Sequence, residues 1–140
     1  MAKKINGVKV IIVDPDAETI TVQRIPNTLE AMQVIVGGDI QYVPINDNED
    51  FIANENGLAT IKSDNFTIFC GHLVPGKFFV IGTTPDGGNQ DTRMTVAKIK
   101  KMVRWADRKT LKATIGNKPA AWSTSADGNV KVHTTWSEIL

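Results

Sequence analysis

Residues 73–82, with the sequence LVPGKFFVIG, constrain the fold of this chain more than any other stretch. A Pro-Gly pair at positions 75 and 76 marks a turn. Lys77 and the four apolar residues that follow it, FFVI, predict a strand that is buried on both faces. We therefore expect residues 73–82 to supply the core strand of the domain.

Length and composition predict one small globular domain with a terminal extension. The chain has 140 residues, of which 41% are hydrophobic and 22% are charged. A chain of this size builds a single modest core, and the composition is that of ordinary globular proteins rather than of disordered or membrane ones. The predicted division is an α+β core domain over residues 1–106 and a strand and hairpin extension over residues 107–140.

Charge and cysteine content exclude several classes of function. A formal net charge of +1 is too small to indicate nucleic-acid or membrane binding by the chain as a whole. Cys70 is the only cysteine, which excludes an internal disulfide and multi-cysteine metal sites. No apolar leader segment follows Met1, and no apolar run approaches the roughly 20 residues of a membrane helix. We expect a cytoplasmic protein without a metal or a cofactor.

The first half of the chain predicts a hairpin, a helix and a second hairpin. Residues 8–13 are rich in β-branched side chains and residues 19–25 alternate, as in two antiparallel strands. Asn27 and Glu30 have the spacing of a capping box that starts a helix, and Gly37 is a suitable end for it. Residues 39–45 predict a third strand. Residues 51–53 and 58–61 flank an Asn-Gly turn, which predicts the second hairpin.

The second half predicts further strands and one amphipathic helix. Residues 66–69 and 73–82 form either two strands or a loop and one long strand. A polar, glycine-rich loop over residues 83–92 leads to Thr95, the expected N-cap of a helix that runs to about Ala106. Residues 110–115 are strand-like, and residues 120–136 have the pattern of a hairpin that turns at an Asp-Gly pair.

Together these elements predict an α+β fold. Its mainly antiparallel sheet carries two helices packed on one side, and a C-terminal β-hairpin extension follows. In this order of elements, the segments VKVIIVDP, VGGDIQYVPIND, NENG and PGKFFVIGT, with a closing helix that ends in VRW, are distinctive. They resemble a domain of unknown function found mainly in bacteriophages and other mobile elements, number 3846 of that series, over about residues 8–105.

This resemblance implies a class of biological role but no chemistry. Its members are small accessory proteins, or modules of large phage and plasmid polypeptides, which implies host takeover or counter-defence. No catalytic residue is carried over from the family. Residues 107–140 have no counterpart in the family pattern, so their role is expected to be specific to this protein.

Basic residues in and around the second predicted helix form the first candidate site. A positive surface beside an aromatic ring can bind phosphates and stack a base, whereas the alternative is an ordinary solvated face with cations near a helix C-terminus. Lys98, Lys101 and Arg108 are expected to surround Trp105 on one helix face. The full set for partner or phosphate binding is Arg93, Lys98, Lys101, Arg104, Trp105 and Arg108.

The C-terminal extension is the second candidate. All three tryptophans stand at or beyond position 105, and Trp122 and Trp136 lie within the extension. Tryptophan is enriched where proteins bind each other. The hairpin face that bears them must cover either the same chain, a second copy or a partner, and the sequence leaves these alternatives open.

Other polar patterns have simpler explanations. The loop over residues 83–92 lacks the order of a phosphate-binding loop, and the acidic residues 46–50 lack the spacing of a calcium loop. Cys70 and His72 alternate along a strand-like segment and so share a face, as nucleophilic chemistry would need, but free cysteine is most often a small buried hydrophobe. No catalytic or metal-binding residue is predicted.

We therefore expect a non-enzymatic accessory protein of phage or mobile-element type. It is expected to bind a host component, with a protein target slightly preferred, and to inhibit or sequester it. Capture of a nucleotide signalling molecule and binding of nucleic acid are the alternatives, and self-association through the C-terminal extension is a further possibility.

Overall fold

The computed structural model describes residues 7–61, 63–124 and 130–139, and for residues 119–124, 130–135, 138 and 139 the description is of the backbone alone. The chain divides into two compact units, Met1–Trp105 and Ala106–Leu140. In the first unit the elements are β1 (Val8–Asp14), β2 (Thr19–Ile25), α1 (Leu29–Val36), β3 (Ile40–Asn46), β4 (Glu49–Asn54), α2 (Gly57–Thr60), β5 (Asn65–Phe69), β6 (His72–Pro75), β7 (Phe78–Thr83), β8 (Asn89–Gln90) and α3 (Val96–Met102). There follow β9 (Arg104–Asp107), α4 (Arg108–Ile115), β10 (Pro119–Thr124), β11 (Val130–Thr135) and α5 (Trp136–Ile139).

The strand predicted from residues 73–82 lies at the centre of a six-stranded sheet. The strand order is β2-β1-β7-β4-β3, and β8 adds to one end of β7. All pairings in this sheet are antiparallel. Phe78, Phe79, Val80 and Ile81 of β7 are each 0% exposed, so the predicted burial on both faces is confirmed.

The N-terminal hairpin and the first helix follow the prediction with one correction. β1 and β2 pair in continuous register from Val8 opposite Ile25 to Asp14 opposite Thr19. The N-cap of α1 is Thr28 rather than Asn27: the Thr28 hydroxyl oxygen accepts the Ala31 N–H at 3.2 Å. The prediction chose the wrong one of two adjacent residues that can both cap a helix. At the other end Gly37 adopts a φ of 79°, the left-handed conformation that favours glycine.

The second predicted hairpin is wrong. β4 pairs with β3 and β7, and the chain from the glycine of the Asn-Gly pair onward forms the short helix α2 instead of a strand. The Asn54 side chain explains the change, because its oxygen accepts the Asn56 N–H at 2.8 Å and its amide donates to the Val36 carbonyl at 3.2 Å. The chain is thereby turned away from the sheet. The true hairpin joins β3 to β4 through a turn at Asp47 and Asn48.

Residues 65–83 form three strands. β5 and β6 are joined by the two-residue turn Cys70-Gly71, whose φ angles are 51° and 78°, values that suit a tight hairpin turn. Gly76, at a φ of 73°, separates β6 from β7. β6, β5 and β9 make a second sheet in that order. The sequence alternatives for this region therefore resolve in favour of separate strands.

The two faces of the six-stranded sheet are covered differently, because alternate residues of each strand point to opposite sides. We call the side covered by α1 the α1 face, with the buried residues Val8, Val10, Ile12, Ile25, Met32, Val36, Ile52, Phe79 and Ile81. We call the other side the α3 face, where α3 and the β5–β6 hairpin contribute to the cluster Ile11, Val13, Phe51, Ala53, Phe69, Val74, Phe78, Val80, Met94 and Ile99.

The α+β class and the mainly antiparallel sheet are confirmed, but the two helices pack on opposite faces rather than on one side. Amphipathic periodicity shows that each helix has an apolar side that is buried. It does not show which face of the sheet that side packs against.

The second unit contains a helix that the sequence did not predict. Residues 110–115 were expected as a strand, but they lie in α4, which begins because the Asp107 carboxylate accepts the Thr110 N–H at 2.7 Å. The predicted C-terminal hairpin is present as β10 and β11, which pair antiparallel with an irregular register near Ala121. Its predicted turn at Asp127 and Gly128 lies outside the described residues. Within the described part of the chain, no helix is long and apolar enough to cross a membrane.

Candidate functional site

The residues of the predicted basic helix face do not lie on one helix. α3 ends at Met102, so Arg104 and Trp105 lie in β9 and Arg108 is the first residue of α4. The Val103 N–H still closes the last helical turn on the Ile99 carbonyl, but Val103 has an extended backbone (φ −88°, ψ 135°). Lys98 and Lys101 remain exposed on α3, and Trp105 is 37% exposed. The prediction therefore extended the 3.6-residue period of the apolar residues beyond Met102, where the helix ends.

Two of the predicted basic residues do come together. Arg93 and Lys98 line a small pocket of about 210 Å³ at the start of α3, and the opposite wall is the β3–β4 turn. The pocket is completed by Asn46, Asn48, Glu49, Met94 and Thr95.

A buried carboxylate shapes this small pocket. Glu49 is only 3% exposed, and its two oxygens accept the Thr92 hydroxyl and the Arg93 N–H, both at 2.7 Å. The Thr92 hydroxyl oxygen in turn accepts the Met94 N–H at 3.1 Å. Burial, and secondarily the charge of Glu49, raises the pKa of the neighbouring Asp50. The chain segment before α3 is thereby fixed to β4, and an anion in the pocket would meet one buried negative charge as well as two exposed positive ones.

A larger concave surface lies on the α3 face, between the edge strand β3 and the edge strand β6. This groove has a volume of about 460 Å³. Its floor is the buried Phe51, Ala53, Val74 and Pro75, and α2 closes one end. Its rim is exposed and includes the polar residues Gln41, Glu55, Asn56 and His72 and the apolar residues Pro44 and Ala59.

Aromatic packing makes the floor of the groove rigid. The Phe51 ring meets the rings of Phe69, Phe78 and His72 edge-on, at centroid distances of 5.3, 5.5 and 5.7 Å. Edge-to-face contacts at such distances are favourable beyond the burial of area. Phe51 is 1% exposed, whereas His72 is exposed at the rim, so the contact ties a surface side chain to the core.

The remaining sequence candidates are placed as follows. Cys70 is exposed in the β5–β6 turn, and burial of part of its surface raises the pKa of its thiol. The loop over residues 83–92 closes on itself, since the Thr84 N–H donates to the Gly88 carbonyl at 2.9 Å. Trp136 is half-buried, and the side chain of Trp122 lies outside the described residues. In the described part of the chain, no three metal-ligating side chains converge.

Sequence reasoning missed the groove. Its walls come from residues 41–44, 51–59 and 72–75, which belong to four different elements, so no local pattern marks it. The available signals were the Asn-rich turn at residues 54–56 and Pro75. Both patterns indicate turns, and the same residues also line the groove.

Comparison with known proteins identifies the core of the chain. The family model of a domain of unknown function, DUF3846, matches residues 8–106, which confirms the resemblance predicted from the sequence. No curated protein and no solved structure matches the chain. Since the matched segment is most of the molecule, the chain belongs to the family of the domain of unknown function DUF3846.

Proposed function

We propose that this protein is a non-enzymatic accessory protein of phage or mobile-element type, which binds a host protein in the bacterial cytoplasm and inhibits or sequesters it. The groove between β3 and β6 carries the proposal. The phage or mobile-element setting, and a role in counter-defence, rest on what the family resemblance implies.

The groove has the chemistry of a peptide-binding surface. Binding sites combine an apolar floor with a few polar groups at the rim, and a volume of about 460 Å³ accepts two or three side chains of a partner. β6 is the last strand of its sheet, so it presents backbone N–H and C=O groups to an extended segment, whereas β3 on the other side of the groove lacks an N–H at Pro44. Such a segment would place alternate side chains on Phe51 and Ala53.

The C-terminal extension offers a second contact surface within the same function. It forms its own compact unit, and the half-buried Trp136 lies at the start of α5. Because tryptophan is a frequent energetic anchor of interfaces, Trp136 is the residue of this unit that we expect to contribute most to binding a partner.

A specific observation favours nucleotide capture as the second candidate. Arg93 and Lys98 line one pocket, as a phosphate site requires, while Lys101 and Arg104 are exposed beyond it. The pocket volume of about 210 Å³ suits a phosphate group better than a whole nucleotide, and Glu49 lines the same space. Protein binding at the larger groove is therefore preferred. Nucleic-acid binding ranks third, because a net charge of +1 gives little counterion release.

The experiment compares two Ala→Arg variants in affinity capture from host lysate with quantitative mass spectrometry. Ala59 is exposed in the groove on α2, and Ala97 is also exposed, on α3 outside both pockets. We expect Ala59→Arg to lose a specific captured protein about tenfold or more, and Ala97→Arg to retain it. A set of captured proteins that is unaffected by Ala59→Arg would contradict binding through the groove.

Nucleotide capture is tested separately by thermal shift. Cyclic and linear nucleotides at about 100 times their dissociation constant would stabilise the protein by about 2.7 kcal/mol. We expect no shift. A stabilisation that Lys98→Glu abolishes and Lys77→Glu leaves intact would replace protein binding with nucleotide capture as the proposed function.

A further inference from the structure

The outer edge of β2 is unusually regular for a strand at the end of a sheet. Its seven residues pair with β1 one to one, without a bulge, and among the described strands no other pairs with it. The four central residues, from Thr21 to Arg24, are all exposed. A strand of this kind presents a straight row of backbone donors and acceptors to solvent.

The opposite edge of the same sheet carries features that prevent pairing, and the residues of β2 itself carry none. β3 contains Pro44, which lacks an N–H, and a register shift between Pro44 and Asn46. Proline, bulges and unpaired charges are the usual devices against edge-to-edge pairing. β2 has no proline, no glycine and no bulge. Its one charged side chain, Arg24, is already bound by the Asp91 carboxylate through contacts of 3.1 and 3.2 Å.

We infer that β2 is a self-association edge, at which two copies of this chain pair antiparallel and extend the sheet across a two-fold axis. The occupant is a second copy because the strand complements itself. Pairing centred on Val22 sets Val22 opposite Val22, Thr21 opposite Gln23 and Ile20 opposite Arg24, so no like charges oppose each other.

This arrangement also covers the most exposed apolar residue of the strand. Val22 is 51% exposed and lies on the α3 face, since it stands opposite Ile11 and two residues from Ile20, which packs against that cluster. At the two-fold axis each Val22 would be covered by its symmetry mate. None of the residues of β2 lines the groove or belongs to the C-terminal extension, so the inference does not rest on the proposed function.

The first test measures the concentration dependence of self-association by sedimentation velocity on the full chain. A single strand pair buries less than a standard interface, so we expect a dissociation constant on the order of 10 µM. Val22→Lys opposes two like charges at the axis and is expected to weaken association about tenfold. The control is Val34→Lys on α1, where the native side chain is 82% exposed, and it is expected to associate like the wild type.

Either of two results would overturn the inference. One is a wild type that stays monomeric up to about 300 µM, well above the expected dissociation constant. The other is a Val22→Lys variant that folds and associates as strongly as the wild type, which would move the interface elsewhere, for example to the C-terminal extension.

Disulfide trapping supplies an independent test if Val22→Lys misfolds. In a Cys70→Ser background, Val22→Cys places two thiols directly opposite each other, with Cα atoms about 4.5 to 5.5 Å apart, within disulfide reach. Under mild oxidation we expect Val22→Cys to form covalent dimers at least about tenfold faster than Val34→Cys. Equal rates for the two variants would contradict pairing at β2.

Discussion

The α1 face and the α3 face of the central sheet bury similar numbers of apolar residues by different means. The α1 face is closed by one helix, and all the residues of its cluster are apolar. The α3 face is covered by a helix, a second hairpin and the segment before α3, and it carries the aromatic cluster. The buried polar side chains Glu49, Thr67 and Thr92 accompany the α3 face, since Glu49 alternates with Phe51 and Thr67 with Phe69.

This difference links the buried polar groups of the α3 face to the shape of its surface. A buried polar group costs free energy unless it is hydrogen-bonded, so the stability of the α3 face depends on hydrogen bonds such as those between Glu49 and the residues Thr92 and Arg93. The α3 face also places two edge strands, β3 and β6, beside an apolar floor. Together they form the groove proposed as the binding site. On the α1 face, the helix α1 lies over the buried cluster.

The largest expected effect is the loss of stability when a buried phenylalanine of either face, Phe51 or Phe79, is replaced by alanine. Phe51→Ala should lower the free energy of unfolding by about 5 kcal/mol and Phe79→Ala by about 4 kcal/mol, since only Phe51 loses ring contacts as well as buried area. Both residues are almost fully buried, at 1% and 0% exposure. Urea unfolding with equal m-values measures the difference. A greater loss for Phe79→Ala would show that the aromatic contacts add nothing to the stability of the α3 face.

The second-largest expected effect is the loss of stability when the buried Glu49 carboxylate loses a hydrogen-bond donor. Thr92→Val removes the hydroxyl that donates to Glu49 at 2.7 Å and leaves that oxygen short of a donor. Hydrogen bonds to charged groups contribute about 1.5 to 3 kcal/mol, so we expect the free energy of unfolding to fall by about 2 kcal/mol. Hydrogen exchange should also show faster opening of the Met94 amide, whose acceptor is the same hydroxyl. Unchanged stability would mean that Glu49 does not depend on Thr92.

Much of the α1 face could be predicted from sequence, and much of the α3 face could not. The β1–β2 register, the buried β7 and the glycine end of α1 follow from local periodicity and turn chemistry, which act within a few residues. The Glu49–Thr92 contact joins residues 43 positions apart, and the groove joins residues 41–44 to residues 72–75. α3 ended early because β9 pairs with β5, a tertiary interaction that overrides helix periodicity. Long-range pairings of this kind cannot be recognised from local patterns in a single sequence.

A third prediction concerns the other buried threonine of the α3 face. The Thr67 hydroxyl is 0% exposed and has no hydrogen-bond partner among the described residues. Thr67→Val replaces it with a methyl group and is expected to raise the free energy of unfolding by about 1 kcal/mol. The same substitution at Thr92 is therefore its matched control, with the opposite sign. A loss of stability for Thr67→Val would show that the hydroxyl has a partner.

The smallest effect comes from the solvent-exposed end of the same face, and it depends on pH. The Lys9 N–H, and then the Arg24 guanidinium, lower the pKa of Asp91 below its ordinary value of 3.8. A carboxyl whose pKa is lower in the folded state contributes stability above its ordinary pKa and loses that contribution as the pH falls through the folded value. Asp91→Asn lacks the contribution at every pH. We therefore expect its melting temperature to lie below that of the wild type at pH 7 and the two to converge below about pH 4. The control is Asp47→Asn, at an exposed carboxylate in the β3–β4 turn, and its melting temperature should equal that of the wild type at each pH. If the difference in melting temperature between Asp91→Asn and the wild type stayed constant down to pH 2, Asp91 would act by geometry rather than by charge.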